Sequence, residues 1–375
     1  MTNRISLALL GALLLVFCLA LPGASSAAEK RRVEVVFVLD TTGSMANLID
    51  GAKRKIWSIA NAIIDKNPDA SVRFGLVGYR DLGDEYVTRH FSLTEDVQAI
   101  YASLLAFKAD GGGDTPESVN EALDVAVTKV HWSDRNEVSA DRILFLVGDA
   151  PPHMDYPQDR KYPEVIAEAV QRGIIVNAVQ AGSSRSTEKV WREMAKLGGG
   201  VYLPIPQDGG QVVVIKTPYD VEITRIQSEL NKTIIPYGSR AQQEDVAHKS
   251  EMYAAAPAES AADMGRFVSK SGSGMAVITG SGDLTADLAA PEGRVSLDAL
   301  KDEELPEPLR SMTPDQRKAY VEKQSAKRAE LSTLLAEQNA LRDAYIAEEM
   351  AKAPAETMDS FDASVSATLQ MQMMQ

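Results

Sequence analysis

From residue 33 to about residue 205 the chain alternates between short, nearly unbroken apolar runs and stretches with helical spacing. The run 33–39 is almost wholly apolar, as expected of a strand covered on both faces. Next, Leu48, Ala52, Ile56, Ile59 and Ile63 recur at three- and four-residue intervals, the period of one helix face, and Pro68 closes the pattern. Residues 72–79 predict a second strand and 86–91 its hairpin partner, with Gly83 in the turn. Helices are expected at 96–107 and 117–130, on either side of Gly111-Gly112-Gly113. Strands at 143–147, 174–179 and 201–205 then alternate with helices at 164–171 and 188–197. Such alternation predicts an α/β fold, a doubly wound and mostly parallel sheet flanked by helices.

Beyond Pro206 the rhythm weakens. Residues 212–215 read as a strand and 219–230 as a helix closing a first domain that spans 33–232. The Ala- and Ser-rich stretch 253–264, with Pro257, reads as a linker or a weak helix, and with the Gly and Ser recurring over 271–282 it makes 233–300 a linker or irregular region. Residues 301–375 form a mainly helical C-terminal extension. Within it Thr313 caps a helix, Pro314 suits its first position and Gln316 completes a capping box. That helix is expected to run to about Lys352, roughly 39 residues and ~58 Å. Tyr320, Leu331, Leu334, Leu335, Leu341 and Tyr345 approximate a heptad, but Gln324, Lys327 and Gln338 interrupt it, so a sustained coiled coil is not supported. Phe361, Val365, Leu369 and Met373 form an apolar stripe that either folds back on its own domain or docks a partner.

Residues 1–28 carry one charged side chain, Arg4, then an apolar run over 5–21, Pro22 and a small-residue stretch. This is the pattern of a secretory signal peptide cleaved after Ala27 or Ala28, which implies a periplasmic or secreted protein. Phe17 precedes Cys18 where a lipoprotein signal needs a small residue. Contact with a membrane is expected only if the segment stays uncleaved.

Composition narrows the chemistry. The net charge of −14 argues against a nucleic-acid partner, which needs a basic field, and against an anionic membrane surface. One cysteine excludes disulfide scaffolds, thiolate zinc sites and iron–sulfur clusters. The four histidines, His90, His131, His153 and His248, form no His-x-x-x-His pair.

Three loops follow buried elements: Asp40-Thr41-Thr42-Gly43-Ser44, Gly111-Gly112-Gly113-Asp114-Thr115-Pro116-Glu117, and Gly148-Asp149-Ala150-Pro151-Pro152. In an open parallel sheet such loops meet where strand order reverses. They gather carboxylates and hydroxyls without nitrogen or sulfur, a donor set for a hard divalent cation. Taken singly, Thr42 and Ser44 would read as helix caps.

In this order and spacing the loops resemble the von Willebrand factor type A domain and its metal-ion-dependent adhesion site, over about residues 33–205. The resemblance implies direct metal contact from Thr42, Ser44 and a hydroxyl of the second loop. Asp40 and Asp149 would hold the ion largely through water. Either Asp114 or Thr115 takes the second-loop position. Thr115 is preferred, because a neutral donor leaves the metal more electrophilic toward an acidic ligand. Mg2+ is the implied ion, with Mn2+ or Ca2+ as alternatives. The implied function is a non-enzymatic adhesion or scaffold module that binds an acidic residue of a protein partner through the metal. Tyr79, Arg80, Asp81 and His153 are expected along the ligand rim.

Enzyme readings fit less well. An aspartyl-phosphate phosphohydrolase would use Asp40 as nucleophile beside Mg2+, yet Thr42 stands where one such class needs a second Asp, and Thr41 where another needs Lys. No Walker loop or Gly-x-Ser-x-Gly elbow is present. A third reading places the function in a scaffold that binds through its C-terminal helices.

Overall fold

The computed structural model describes residues 31–375 except 68–69, 114, 137, 208–214, 257, 272–273, 291–294, 353–359 and 374–375. Its elements run β1 (Arg32–Asp40), α1 (Ala46–Lys66), β2 (Ser71–Tyr79), β3 (Thr88–Thr94), α2 (Val97–Ala106), α3 (Val119–Thr128), β4 (Ala140–Gly148), α4 (Tyr162–Gln171), β5 (Ile174–Ala181), α5 (Arg185–Leu197) and β6 (Gly199–Ile205). There follow α6 (Asp220–Asn231), α7 (Arg240–Ala254), α8 (Ala258–Lys270), α9 (Ala276–Thr279), α10 (Leu284–Ala289), α11 (Glu307–Arg310), α12 (Pro314–Lys352) and α13 (Ser360–Gln372).

The six strands lie in the order β3-β2-β1-β4-β5-β6. All neighbours are parallel except β2 and β3, which form the expected hairpin. β1 is central and covered on both faces, which is why its sequence does not alternate. Val33, Val35, Phe37 and Leu39 face a core shared with α1, α2, α6, α8 and α13. Val36 and Val38 face the opposite core, shared with α3, α4 and α5. Glu34, the one charge inside the run, is fully buried and ion-paired to Arg73 at 2.6 Å. The chain leaves β1 toward β2 on one side and later enters β4 on the other. The ends of β1 and β4 therefore lie side by side at the reversal of strand order, where the loops after them diverge.

The expected linker over 233–300 is corrected by the structure, which places α7 to α10 there. Tyr253, Met264, Phe267, Val277 and Ile278 are buried in the main core. Asn61 of α1 donates to the Asp263 carbonyl at 2.9 Å. Most of these helices announce themselves poorly, because α7 is largely polar with little amphipathic pattern and α9 and α10 are only 4 and 6 residues long. The strand expected at 212–215 falls mainly on 212–214, outside the described residues.

α12 starts and ends where its capping box and length predicted. Thr313 N–H donates to Gln316 Oε1 at 2.9 Å, and Gln316 N–H to Thr313 Oγ1 at 3.4 Å. It packs on α6, α8 and α10 rather than on a second long helix. Lys327, an interruption of the heptad, pairs with Glu229 of α6 at 2.6 Å. α13 folds back on α1 and β6, burying Val365, Leu369 and Met373. There Asn177 and Gln372 exchange two amide hydrogen bonds, at 3.0 and 2.7 Å. The side chain of Phe361 is outside the described residues. Arg31–Gln375 folds as one compact unit, so the C-terminal extension belongs to the same body as the sheet. No helix among the described residues is long and apolar enough to cross a membrane. The signal-peptide segment lies outside the described residues.

Candidate metal centre

Asp40 is the last residue of β1 and is fully buried. Its Oδ1 accepts from the Thr42 N–H at 2.9 Å and the Thr42 hydroxyl at 2.6 Å, and Ser44 Oγ lies 3.2 Å from that hydroxyl. Neither hydroxyl caps the helix that follows, so the capping reading does not account for them. The glycine loop is laid against this turn by two backbone bonds, Gly43 N–H to Gly111 O at 3.2 Å and Asp110 N–H to Thr41 O at 3.1 Å. Gly112 has a left-handed φ of 70°, and a Cβ there would fall 2.5 Å from Thr42 Cβ and 2.9 Å from Glu117 Oε1. Only glycine permits that approach.

The loop after β4 closes the other side. Asp149 Oδ2 accepts from the Gln207 amide at 2.7 Å, and the same amide reaches Ser44 O at 3.4 Å. Gln207 thus ties two candidate loops together. Thr187 Oγ1 holds the Asp149 carbonyl at 2.9 Å. At Gly148 a Cβ would lie 2.3 Å from the Tyr79 hydroxyl and 3.2 Å from Asp40 Oδ2, so β4 passes close over both.

Burial pushes the Asp40 carboxyl up to about 7, against its two bonds from Thr42 and with the Asp149 charge adding to the rise. Glu117 is pushed up to about 9, first by burial and then by Asp40, Asp81, Asp84 and Asp149. Tyr79 moves well above its ordinary value, by burial and the nearby carboxylates of Asp40, Asp149 and Glu117. Asp40 Oδ2, Glu117 Oε2 and the Tyr79 hydroxyl are buried, and none makes a hydrogen bond of ordinary geometry. Such a group costs about 1–3 kcal/mol when left unsatisfied. A hard divalent cation and its waters would satisfy these oxygens, so the donor set fits one. Among the described residues no three His, Cys, Asp or Glu side chains form a ligand group alone. Hydroxyls and water must therefore supply much of any coordination.

Residues 34–216 match the family described as von Willebrand factor A domain. This segment is a von Willebrand factor A domain. Among curated proteins the chain is similar to an ariadne-like RING finger protein, R811, of Acanthamoeba polyphaga mimivirus, 27% identical over 125 residues, covering 32% of this chain and 11% of that protein. It is likewise similar to the alpha-protein kinase vwkA of Dictyostelium discoideum, 27% identical over 123 residues, covering 32% and 19%. The match thus spans less than a fifth of either relative's length. Among solved structures the SpRpn10 VWA domain is 12% identical, with a TM-score of 0.35, 48% of this chain and 88% of that one covered. Proximal thread matrix protein 1 of the mussel byssus is 15% identical, with a TM-score of 0.33 and coverages of 46% and 42%.

Within the A domain the structure brings Asp40, Thr42, Ser44 and Asp149 together at the carboxyl ends of β1 and β4. Thr115 is exposed at the end of the glycine loop, and Asp114 lies outside the described residues. The four residues expected at the rim are instead buried. Tyr79 lies beneath the centre. Arg80 turns its guanidinium to the Lys108 carbonyl at 2.8 Å and over the Tyr86 ring at 4.4 Å. Asp81 accepts from Ser118 Oγ at 2.7 Å and from the Tyr156 hydroxyl at 2.8 Å. His153 stacks on Tyr156 and bonds Asp155 through Nδ1 at 2.8 Å. These four build a wall rather than a contact surface, because the chain turns inward after β2 to meet the loop after β4.

Sequence reasoning missed Glu117 and Gln207. Glu117 sat inside a quoted loop but belonged to no motif. Gln207 lies far along the chain from Asp149 and carries no pattern at all.

Proposed function

We propose that this A domain is a non-enzymatic protein-binding module, of adhesion or scaffold type, that recognises an acidic side chain of a partner through a divalent cation. The buried, unpartnered Asp40 Oδ2 beside two hydroxyls that cap no helix carries this reading. Thr42 and Ser44 would hold the ion directly, with Thr115 or Asp114 from the glycine loop, and Asp40 and Asp149 through water. Bound there, Mg2+, or Mn2+ or Ca2+ in its place, supplies positive charge with a coordination position open to a carboxylate. The residues of this chain do the rest. Thr42 fixes the Asp40 carboxylate, Gln207 fixes Asp149, and Gly112 lets the glycine loop close on Thr42. Thr42 in place of a second Asp and Thr41 in place of Lys favour a binding role over an aspartyl-phosphate reaction.

We further propose that the protein is exported, residues 1–28 being removed. The test is a pull-down from an extract of the source cell in Mg2+ and in EDTA, with Asp149→Ala as control. Partners should be retained by the wild-type chain in Mg2+ alone. Equal capture in EDTA and by the variant would overturn the reading.

A further inference from the structure

Glu117 is the buried carboxyl that the three-loop motif does not explain. Its backbone is clamped to the loop that carries Asp149: its N–H donates to Pro151 O and its carbonyl accepts from His153 N–H, each at 3.0 Å. It also forms a parallel bridge with Pro152. The side chain therefore leaves a fixed backbone between the glycine loop and the loop after β4. Glu117 Oε1 and Thr42 Cβ both lie within 2.9 Å of one point, the place a Cβ of residue 112 would occupy. Oε2 is buried and bonds to nothing. Among the described residues no Lys or Arg pairs with this carboxyl. Arg80 comes near in the backbone, its carbonyl accepting from Ser118 N–H at 3.3 Å, but its guanidinium is turned to the Lys108 carbonyl. A carboxyl that is 3% exposed, rigidly placed and unpartnered points to a ligand that comes from outside the chain.

We propose that Glu117 is itself a ligand of the divalent cation, in the inner position that the motif gives to the second-loop hydroxyl. This rests on the reading above that the crevice holds such an ion. Thr115, two residues earlier, is exposed and stays at the mouth. A charged inner ligand holds the ion more firmly and leaves it less electrophilic, so the site trades pull on a partner carboxylate for cation affinity.

The test titrates Mn2+ into the full chain and counts free ion by electron paramagnetic resonance. Glu117→Gln should weaken Mn2+ binding by about tenfold or more, as loss of a ligand does at least as much as loss of its support. Thr115→Ala should change it far less. Glu117→Asp, which keeps the charge, should retain more affinity than Glu117→Gln, and melts in EDTA verify that each variant folds. Unaltered binding by Glu117→Gln, with loss in Thr115→Ala, overturns this inference and leaves the cation reading standing. A wild-type chain that binds no Mn2+ overturns both.

Discussion

Replacing Glu117 by Gln should stabilise the metal-free protein, and the gain should grow with pH. In the folded chain burial and four nearby carboxylates hold the Glu117 proton up to about 9, against 4.5 for an ordinary glutamate. Between those values the folded state binds more protons than the unfolded one, so stability falls as pH rises through the window. Each pH unit climbed inside that window costs about 1.36 kcal/mol. At pH 7 the penalty is therefore at most about 3.4 kcal/mol, and at pH 5 it is under about 1 kcal/mol. The isosteric amide keeps the shape and carries no charge at any pH, so it escapes the penalty. Urea unfolding in EDTA at pH 5, 7 and 9 reads the difference directly. A variant no more stable than wild type at pH 7, or a gain that does not shrink toward pH 5, would refute the reasoning.

Gly112→Ala should destabilise the fold and abolish any Mg2+ response, since its Cβ would fall 2.5 Å from Thr42 Cβ; paired melts with and without Mg2+ check both. Leu369→Ala, which empties a fully buried position under α13, should cost about 2–5 kcal/mol by denaturant unfolding without altering Mn2+ affinity. Intact mass should show protein from its native source beginning at Ala28 or Glu29, and retention of Met1 would contradict cleavage and favour an uncleaved anchor segment.

The strands were legible because β1 and β4 are buried on both faces and so read as apolar runs, and α1 because its apolar face keeps one period. α12 was legible end to end because its start carries a capping box. The helices α7, α9 and α10 were not, since a largely polar helix and two of 4 and 6 residues owe their form to packing against the rest of the fold rather than to local pattern. At the candidate centre the motif residues could be picked out by spacing. Their surroundings could not: Gln207 reaches Asp149 across 58 residues of chain, and the burial of Arg80 and His153 depends on how two loops pack. The direction a side chain faces at a strand end is a tertiary property, and that is where the rim assignment failed.

The central claim, that this crevice holds a divalent cation, is tested most directly by thermal unfolding of the wild-type chain and Asp149→Ala in EDTA and in Mg2+. An ion that binds only the folded state, at about 100 times its dissociation constant, adds about 2.7 kcal/mol. The wild-type midpoint should rise on adding Mg2+ and fall back with EDTA, while Asp149→Ala should lose most of that response. A wild-type midpoint indifferent to Mg2+, Mn2+, Ca2+ and EDTA would contradict the account.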